Sequence, residues 1–207
     1  MTSVTPLTYD LELTRGKTFS VPLRYGAPPF IYKAITGIAN TAPIRLTVTS
    51  HGMPDGWRFA VSGVVGLTAL NATADPPRVR EYYVGTVVDA DTIDINTING
   101  TLLTAYTSGG MIQYYTPVAL AGMTARITIR DKYGGTVVWT GTSAAGDLAI
   151  STGLSQVTLT IGADITADLP RRAVYDLELV TAGTPDIVTL LMQGRVLADL
   201  EVSTGDV

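Results

Sequence analysis

Short runs in which polar and apolar residues alternate recur along the whole chain. Clear examples are residues 45–49, 126–130 and 156–161. A period of two is the pattern of a half-buried β-strand. Turns are predicted between such runs, at Asn99-Gly100, at Gly109-Gly110, at Gly134-Gly135 and at residues 145–147. The best helical candidate, residues 163–169, is short and is followed by Pro170, through which a helix does not easily continue. The pattern therefore predicts a nearly all-β chain.

The composition supports this fold class and excludes several functions. The 31 threonines favour strands, and the 21 glycines and 11 prolines favour turns. Without cysteine there is no disulfide and no thiolate metal site, and with one histidine no multi-histidine metal site. A net charge of −4 argues against binding to duplex nucleic acid. No apolar run approaches the ~20 residues of a membrane helix, and the N-terminus does not have the pattern of a signal peptide.

The pentapeptide Tyr-Asp-Leu-Glu-Leu occurs twice, at residues 9–13 and at residues 175–179. In each copy the alternation places the tyrosine and both leucines on one face and the two acids on the other. One interpretation is two similar strands in one sheet. The other is that the acids line a repeated contact surface, which makes Asp10, Glu12, Asp176 and Glu178 candidate interaction residues.

Changes in composition near residues 26–29 and 116–117 suggest a nested arrangement of two domains. The segment between them holds six of the ten tyrosines and the single histidine, and its ends, Ile31-Tyr32 and Tyr114-Tyr115, are expected to pair side by side. Chain ends that lie close together are what a domain insertion requires. We expect an outer domain of residues 1–30 and 116–207 and an inserted domain of residues 31–115.

The outer segments resemble the N-terminal β-sandwich domain of baseplate upper proteins of tailed bacteriophages. The matching stretches are residues 9–13, 15–19, 120–131, 173–179, 190–196 and 200–203. In that family the domain docks a larger appendage onto the particle. The resemblance implies a β-sandwich and a place in a phage particle.

The inner segment resembles a small β-domain of phage structural proteins that is named after ubiquitin-activating enzymes. The matching stretches are residues 35–38, 50–56, 61–64, 70–71, 82–84, 90–95 and 105–110, and residues 72–81 form a longer polar loop than that family has. The resemblance implies a small β-barrel or β-sandwich. It implies no ubiquitin chemistry, because the chain lacks the catalytic cysteine and the nucleotide site.

Three groups of residues are candidate catalytic, metal-binding or phosphate-binding sites. His51 follows Ser50 and precedes Asp55, but adjacent strand residues point to opposite faces, so we expect His51 to form local hydrogen bonds instead of a catalytic triad. Asp89, Asp91 and Asp94 do not have the spacing of a calcium loop, and we expect a solvated turn, with a structural cation as the alternative. Residues 16–18, Gly-Lys-Thr, lack the upstream glycine of a phosphate-binding loop and are expected to form a turn between strands.

A further candidate group combines arginine and tyrosine, residues that are enriched at binding hot spots. The group comes after two prolines and consists of Arg78, Arg80, Tyr82 and Tyr83. One interpretation is a protruding loop and the strand that it leads into. The other is that this loop contacts a protein or a glycan. Paired catalytic carboxylates at Asp10, Glu12, Asp176 and Glu178 are a weaker alternative, because substrate-stacking tryptophans are scarce.

The residues by themselves predict a soluble, β-rich interaction module. The resemblance implies that this module is a non-enzymatic structural protein of a tailed phage. It is expected in the virion, after assembly in the host cytoplasm, anchored in a neck, tail or baseplate ring, with other virion proteins and further copies of itself as partners. No cofactor, metal, small-molecule substrate, nucleic acid or membrane is expected. The alternatives are a capsid decoration protein or glycan-binding module on the virion surface, and a small hydrolase that uses His51.

Overall fold

The structure, a computed structural model, describes residues 7–200. Residues 201–203, part of the phage resemblance, lie outside this range. The described chain contains these strands: β1 (Leu7–Thr8), β2 (Leu11–Thr14), β3 (Phe19–Arg24), β4 (Gly26–Ala34), β5 (Gly37–Ala39), β6 (Ile44–Thr47), β7 (Arg58–Val65), β8 (Tyr83–Val84), β9 (Thr86–Val87), β10 (Thr92–Ile95), β11 (Ser108–Pro117), β12 (Met123–Arg130), β13 (Val137–Thr142), β14 (Leu148–Ser151), β15 (Gln156–Ile161), β16 (Arg172–Thr181) and β17 (Ile187–Asp199). The all-β prediction is confirmed.

Helical structure in the described range is limited to three short pieces. They are α1 (Ala163–Asp168) and the 3-10 turns Thr68–Leu70 and Val79–Glu81. The predicted helix is confirmed, and it ends two residues before Pro170, which lacks the backbone N–H that a longer helix needs.

One of the predicted turns is wrong. Gly109 and Gly110 lie inside strand β11, where Gly109 is the partner of Val64 on β7. Their φ angles are 69° and 96°, a region that disfavours side chains. A Cβ on Gly110 would lie 2.5 Å from Cγ2 of Val64. The glycines therefore permit close contact within a sheet, whereas Gly134-Gly135 and residues 145–147 do lie in turns or bends.

The chain divides into two compact units. The first comprises residues 7–24 and 119–200 of the described range, and the second residues 25–118. The predicted pairing of the ends of the inner segment is confirmed, with Tyr114 opposite Ile31 in the β4–β11 ladder. This ladder continues to Gly26 opposite Pro117, so the proline pair at 28–29 lies within a strand and not in a linker.

The first unit is sandwich-like and contains two sheets. The larger has the strand order β1-β17-β16-β12-β13, with β2 also paired to β17, and the smaller has the order β14-β15-β3. Alternation buries one face of several strands, as in β15, whose Val157, Leu159 and Ile161 are all fully buried. The period of two in the sequence thus corresponds to a real core face.

Both copies of the repeated pentapeptide belong to the larger sheet. β2 and β16 lie on either side of β17, in parallel and antiparallel pairing, which confirms the interpretation of two similar strands in one sheet. In the first copy Tyr9 lies before β2 and is 46% exposed, whereas Leu11 and Leu13 are buried, so the predicted common face does not extend to Tyr9. Between β1 and β2 the backbone of Gly194 comes close to that of Tyr9: a Cβ at Gly194 would lie 2.1 Å from the Tyr9 carbonyl oxygen.

The second unit is built from two four-stranded sheets, with the strand orders β5-β6-β10-β9 and β4-β11-β7-β8. Inward-facing residues from both sheets form one hydrophobic cluster, in which Phe59, Ile93 and Ile112 are fully buried. Tyr114 and Trp57 supply its largest side chains. This cluster makes the unit a small β-sandwich with its own core.

Candidate functional site

The predicted Arg–Tyr group lies on a loop that a single carboxylate holds in place. Glu81 accepts hydrogen bonds from the backbone N–H of Arg78 (2.7 Å) and from the backbone N–H of Thr73 (2.9 Å). The Thr73 hydroxyl also donates to Glu81, and these bonds, the hydroxyl first, lower the pKa of Glu81 to about 2. With Glu81 bound inside the loop, the side chains of Arg78 and Arg80 remain exposed.

Tyr82 and Tyr83 point in opposite directions, as adjacent residues of an extended segment must. Tyr83 turns to the core, where its ring packs 6.1 Å from that of Phe59 and its hydroxyl donates to the Leu70 carbonyl (3.1 Å). Tyr82 turns to the other face of the sheet, and the Arg58 guanidinium lies 5.8 Å from its ring centre. Of this pair only Tyr82 is available to a partner.

Tyr82 belongs to a larger surface that the sequence analysis missed. Strand β11 directs Ile112 and Tyr114 into the core, so Met111, Gln113 and Tyr115 lie on the opposite face. The ladder places Phe30 and Tyr32 of β4 beside Tyr115 and Gln113. We call this surface, Phe30, Tyr32, Tyr82, Met111, Gln113 and Tyr115, the aromatic face. The sequence signal for this surface is the alternation around Tyr114 and Tyr115. It identifies the surface only when β4 is known to be the partner strand of β11.

The rings of the aromatic face touch one another and remain open to solvent. The Phe30 and Tyr115 ring centres are 4.3 Å apart, and those of Phe30 and Tyr32 are 6.4 Å apart. Tyr32 is 55% exposed, Met111 45% and Tyr115 41%. Exposed large side chains that form one contiguous patch mark an interaction site more strongly than scattered ones.

A buried amide lies at the centre of this exposed patch. Gln113 is only 6% exposed although it lies on the outer face, and its side chain is hydrogen-bonded to that of Tyr82. Burial raises the pKa of Tyr82, which keeps its hydroxyl neutral. The amide and the hydroxyl give the apolar patch a fixed polar centre.

The charge on the aromatic face is positive, in a chain whose net charge is −4. Strands β4, β7, β8 and β11 contain no acidic residue. Arg58 lies over Tyr82 on this face, whereas the side chain of Lys33 is on the opposite side of β4, with Ile31. Arg58 also donates to the Val79 carbonyl (2.9 Å), which ties the loop of Arg78 and Arg80 to the rim of the face. The arrangement favours a partner with apolar groups and negative charge.

Two of the four acidic candidates form ion pairs with arginines of the larger sheet of the first unit. Glu178 pairs with Arg126 (2.5 Å), and Asp10 with Arg195 (3.4 Å). Burial, and then the neighbouring Glu178, raise the pKa of Asp176. Glu12 is exposed opposite Leu197. This is a face of mixed charge and not an acidic surface.

His51 forms local hydrogen bonds, as the sequence analysis expected. Its Nδ1 accepts the backbone N–H of Met53 (3.0 Å), so Nε2 carries the proton and donates to the Asp89 carbonyl (2.9 Å). The side chain is 2% exposed. Neither ring nitrogen is left to activate Ser50, whose own backbone N–H donates to Asp91 (2.7 Å).

Asp89 and Asp91 lie in the predicted turn between β9 and β10, whereas Asp94 is a buried residue of β10 itself. An Asp89 carboxylate oxygen accepts the N–H of Asp91 (2.8 Å), and Asp94 is held by two hydrogen bonds from Arg45 (2.7 and 2.8 Å). Within residues 7–200 no group of three acidic or histidine side chains is placed to hold a metal ion. The Gly-Lys-Thr stretch at residues 16–18 lies between β2 and β3, where the predicted turn is confirmed.

No protein-family model matches this sequence, and no match is found among curated proteins. In the described part of the chain, no helix is long and apolar enough to cross a membrane.

Proposed function

We propose that this chain is a non-enzymatic structural component of a tailed-phage particle, which docks on a neighbouring virion protein in a neck, tail or baseplate ring. The observation that carries the proposal is the aromatic face: tyrosines and a methionine on one side of a sheet, with Arg58 over Tyr82 and Arg78 and Arg80 on the loop beside it. Tyrosine, methionine and arginine are enriched in protein–protein interfaces, and a sheet presents them at little entropic cost. The resemblance of both chain segments to phage structural domains supplies the setting.

The first experiment counts copies of the chain in purified phage particles by quantitative mass spectrometry against the major capsid protein. On the order of 6–12 copies, as in a closed ring, supports the proposal. Hundreds of copies would instead support a capsid decoration protein. Absence from the particle would refute a structural role.

The second experiment asks whether the aromatic face makes the contact. The double variant Tyr32→Ala, Tyr115→Ala is expected to reduce incorporation into particles by at least about tenfold, since truncating two hot-spot residues costs well over 1.4 kcal/mol. Tyr133→Ala is the matched control, because Tyr133 is 74% exposed but lies in the other unit. Equal incorporation of both variants would contradict docking through this face.

Glycan binding is the second candidate, and the tyrosine array around the Gln113 amide is the observation that favours it. Aromatic rings stack on the apolar faces of sugars, and an amide binds sugar hydroxyls. Binding of host cell-wall polysaccharide that is lost in the same double variant and kept in Tyr133→Ala would select this function over protein docking.

A further inference from the structure

The aromatic face ends at an unpaired strand edge. In the described part of the chain β4 pairs only with β11. The N–H of Ile35 donates to the Gly110 carbonyl (2.9 Å), which sets the alternation along the strand. Lys33 and Ile31 therefore direct their backbone groups to β11, while the N–H and C=O groups of Tyr32 and Ala34 point outward.

The open part of this edge is short and has defined ends. On one side Pro28 and Pro29 interrupt the ladder, and the Pro29 carbonyl accepts the Thr116 hydroxyl (2.7 Å). On the other side the backbone N–H of Thr36 donates to the Thr47 carbonyl (2.9 Å) of the opposite sheet. Residues 30–34 thus form a window that one short strand would fill.

The side chains along the window specify what such a strand would carry. In an added antiparallel strand, residues opposite Tyr32 and Ala34 project over the aromatic face, and the residue between them projects to the other side, beside Lys33. Apolar side chains suit the first two positions, where Tyr32, Tyr115 and Met111 are exposed. A carboxylate suits the third, because Lys33 is the charged residue of β4 and the sheet contains no acid.

We propose that β4 binds an extended segment of the neighbouring protein in which apolar residues alternate with aspartate or glutamate. The segment adds a strand to the sheet, with backbone hydrogen bonds to Tyr32 and Ala34 and an ion pair to Lys33. This inference rests on the proposal that the aromatic face docks on a partner protein. A second β4 is a poorer occupant, since it would bring two lysines to one edge, the usual guard against edge-to-edge pairing.

The probe is a peptide of about eight residues that alternates valine and glutamate, with both ends blocked, a length that spans the window. At about 1 mM peptide, a concentration that detects weak binding, amide hydrogen exchange is followed by NMR on the full chain. Exchange of the Tyr32 and Ala34 amides is expected to slow by at least about tenfold, because these groups gain partners. The amides of Ile31 and Lys33 are the internal control, since β11 already holds them.

Charge reversal then tests the ion pair. Lys33→Glu is expected to abolish protection by the glutamate peptide and to allow protection by the same peptide with lysine in place of glutamate. Lys132→Glu, an exposed lysine of the other unit, is the matched control and should leave the preference unchanged.

Three outcomes would overturn the inference: no protection of Tyr32 and Ala34, equal protection by acidic and basic peptides, or self-association through β4 without peptide. These outcomes are separable from failure of the proposed function. If the chain is present in particles at a ring-like copy number but its β4 edge binds no acidic strand, the proposed function stands and this inference fails. If the chain is absent from particles but its β4 edge still binds the acidic peptide, the proposed function fails and the binding preference of the edge stands.

Discussion

The replacement of His51 by phenylalanine distinguishes a structural histidine from a catalytic one. The ring keeps its approximate shape, but the Met53 N–H loses its acceptor and the Asp89 carbonyl loses its donor. The Tyr114 hydroxyl donates to the His51 carbonyl, a contact that the substitution leaves in place. The variant thus isolates the two ring nitrogens.

The cost follows from the burial of these groups. Leaving a buried polar group without a partner costs about 1–3 kcal/mol. Met53 is 4% exposed, so its N–H has little access to water, whereas Asp89 is exposed and its carbonyl is able to bind water. We therefore expect the free energy of unfolding of the second unit to fall by about 1–3 kcal/mol, from the Met53 N–H alone.

Urea unfolding, followed by Trp57 fluorescence in a Trp139→Phe background, measures this change. Trp57 is 4% exposed in the core of the second unit, so it reports that unit alone. With an m-value of about 2 kcal/mol/M, the midpoint should fall by about 1 M. Thr49→Ala, at an exposed neighbouring position, should change the free energy of unfolding by less than about 0.5 kcal/mol. A His51→Phe variant as stable as the parent would refute the structural role and return attention to catalysis.

Three further predictions concern a packed glycine, a loop carboxylate and a buried hydroxyl. Gly85→Ala places a Cβ 2.8 Å from three core side chains and should cost about 1–3 kcal/mol in urea unfolding, while Gly153→Ala, which meets no atom within 4 Å, should not. Glu81 should titrate near pH 2 when its carboxyl carbon is followed by NMR. The stability that Glu81 contributes to the fold is present above its ordinary pKa of 4.5 and is lost as the pH falls toward 2. Titration at the ordinary pKa would contradict the hydrogen bonds of the loop. Tyr175→Phe removes the hydrogen bond to the Tyr9 carbonyl (2.7 Å) and should lower the free energy of unfolding by about 1 kcal/mol, measured by thermal melting; no loss would mean that this bond does not secure the edge.

Local pattern was sufficient wherever one face of a strand meets a core. Residues 156–161 alternate in the sequence and are a strand with three fully buried apolar residues in the structure. The Gly109-Gly110 pair shows where local reasoning fails. Two consecutive glycines are typical of a turn, but here they allow β11 to lie close to β7. The residue that requires this close approach, Val64, is 45 positions before Gly109 in the sequence.

The candidate site needed long-range information for the same reason. Arg78, Arg80 and Tyr82 were found from residue type alone, but Tyr83 cannot be separated from Tyr82 without knowing which side of the sheet is buried. Tyr32 and Gln113 are cross-strand partners that are far apart in the sequence. Residue type therefore identifies the loop at the rim of the aromatic face, but not the cross-strand residues at its centre.

The sequence by itself determined the all-β class, the short helix before Pro170 and the local hydrogen bonding of His51, because each depends on the periodicity, conformational preference or chemistry of neighbouring residues. Only the tertiary structure decided that Phe30, Tyr32, Tyr82 and Tyr115 share one exposed face, and that the acids of the repeated pentapeptide lie among arginines. Strand pairing brings together residues from distant parts of the chain, and the free energy that selects one pairing comes from packing across the whole sheet, which no local segment contains.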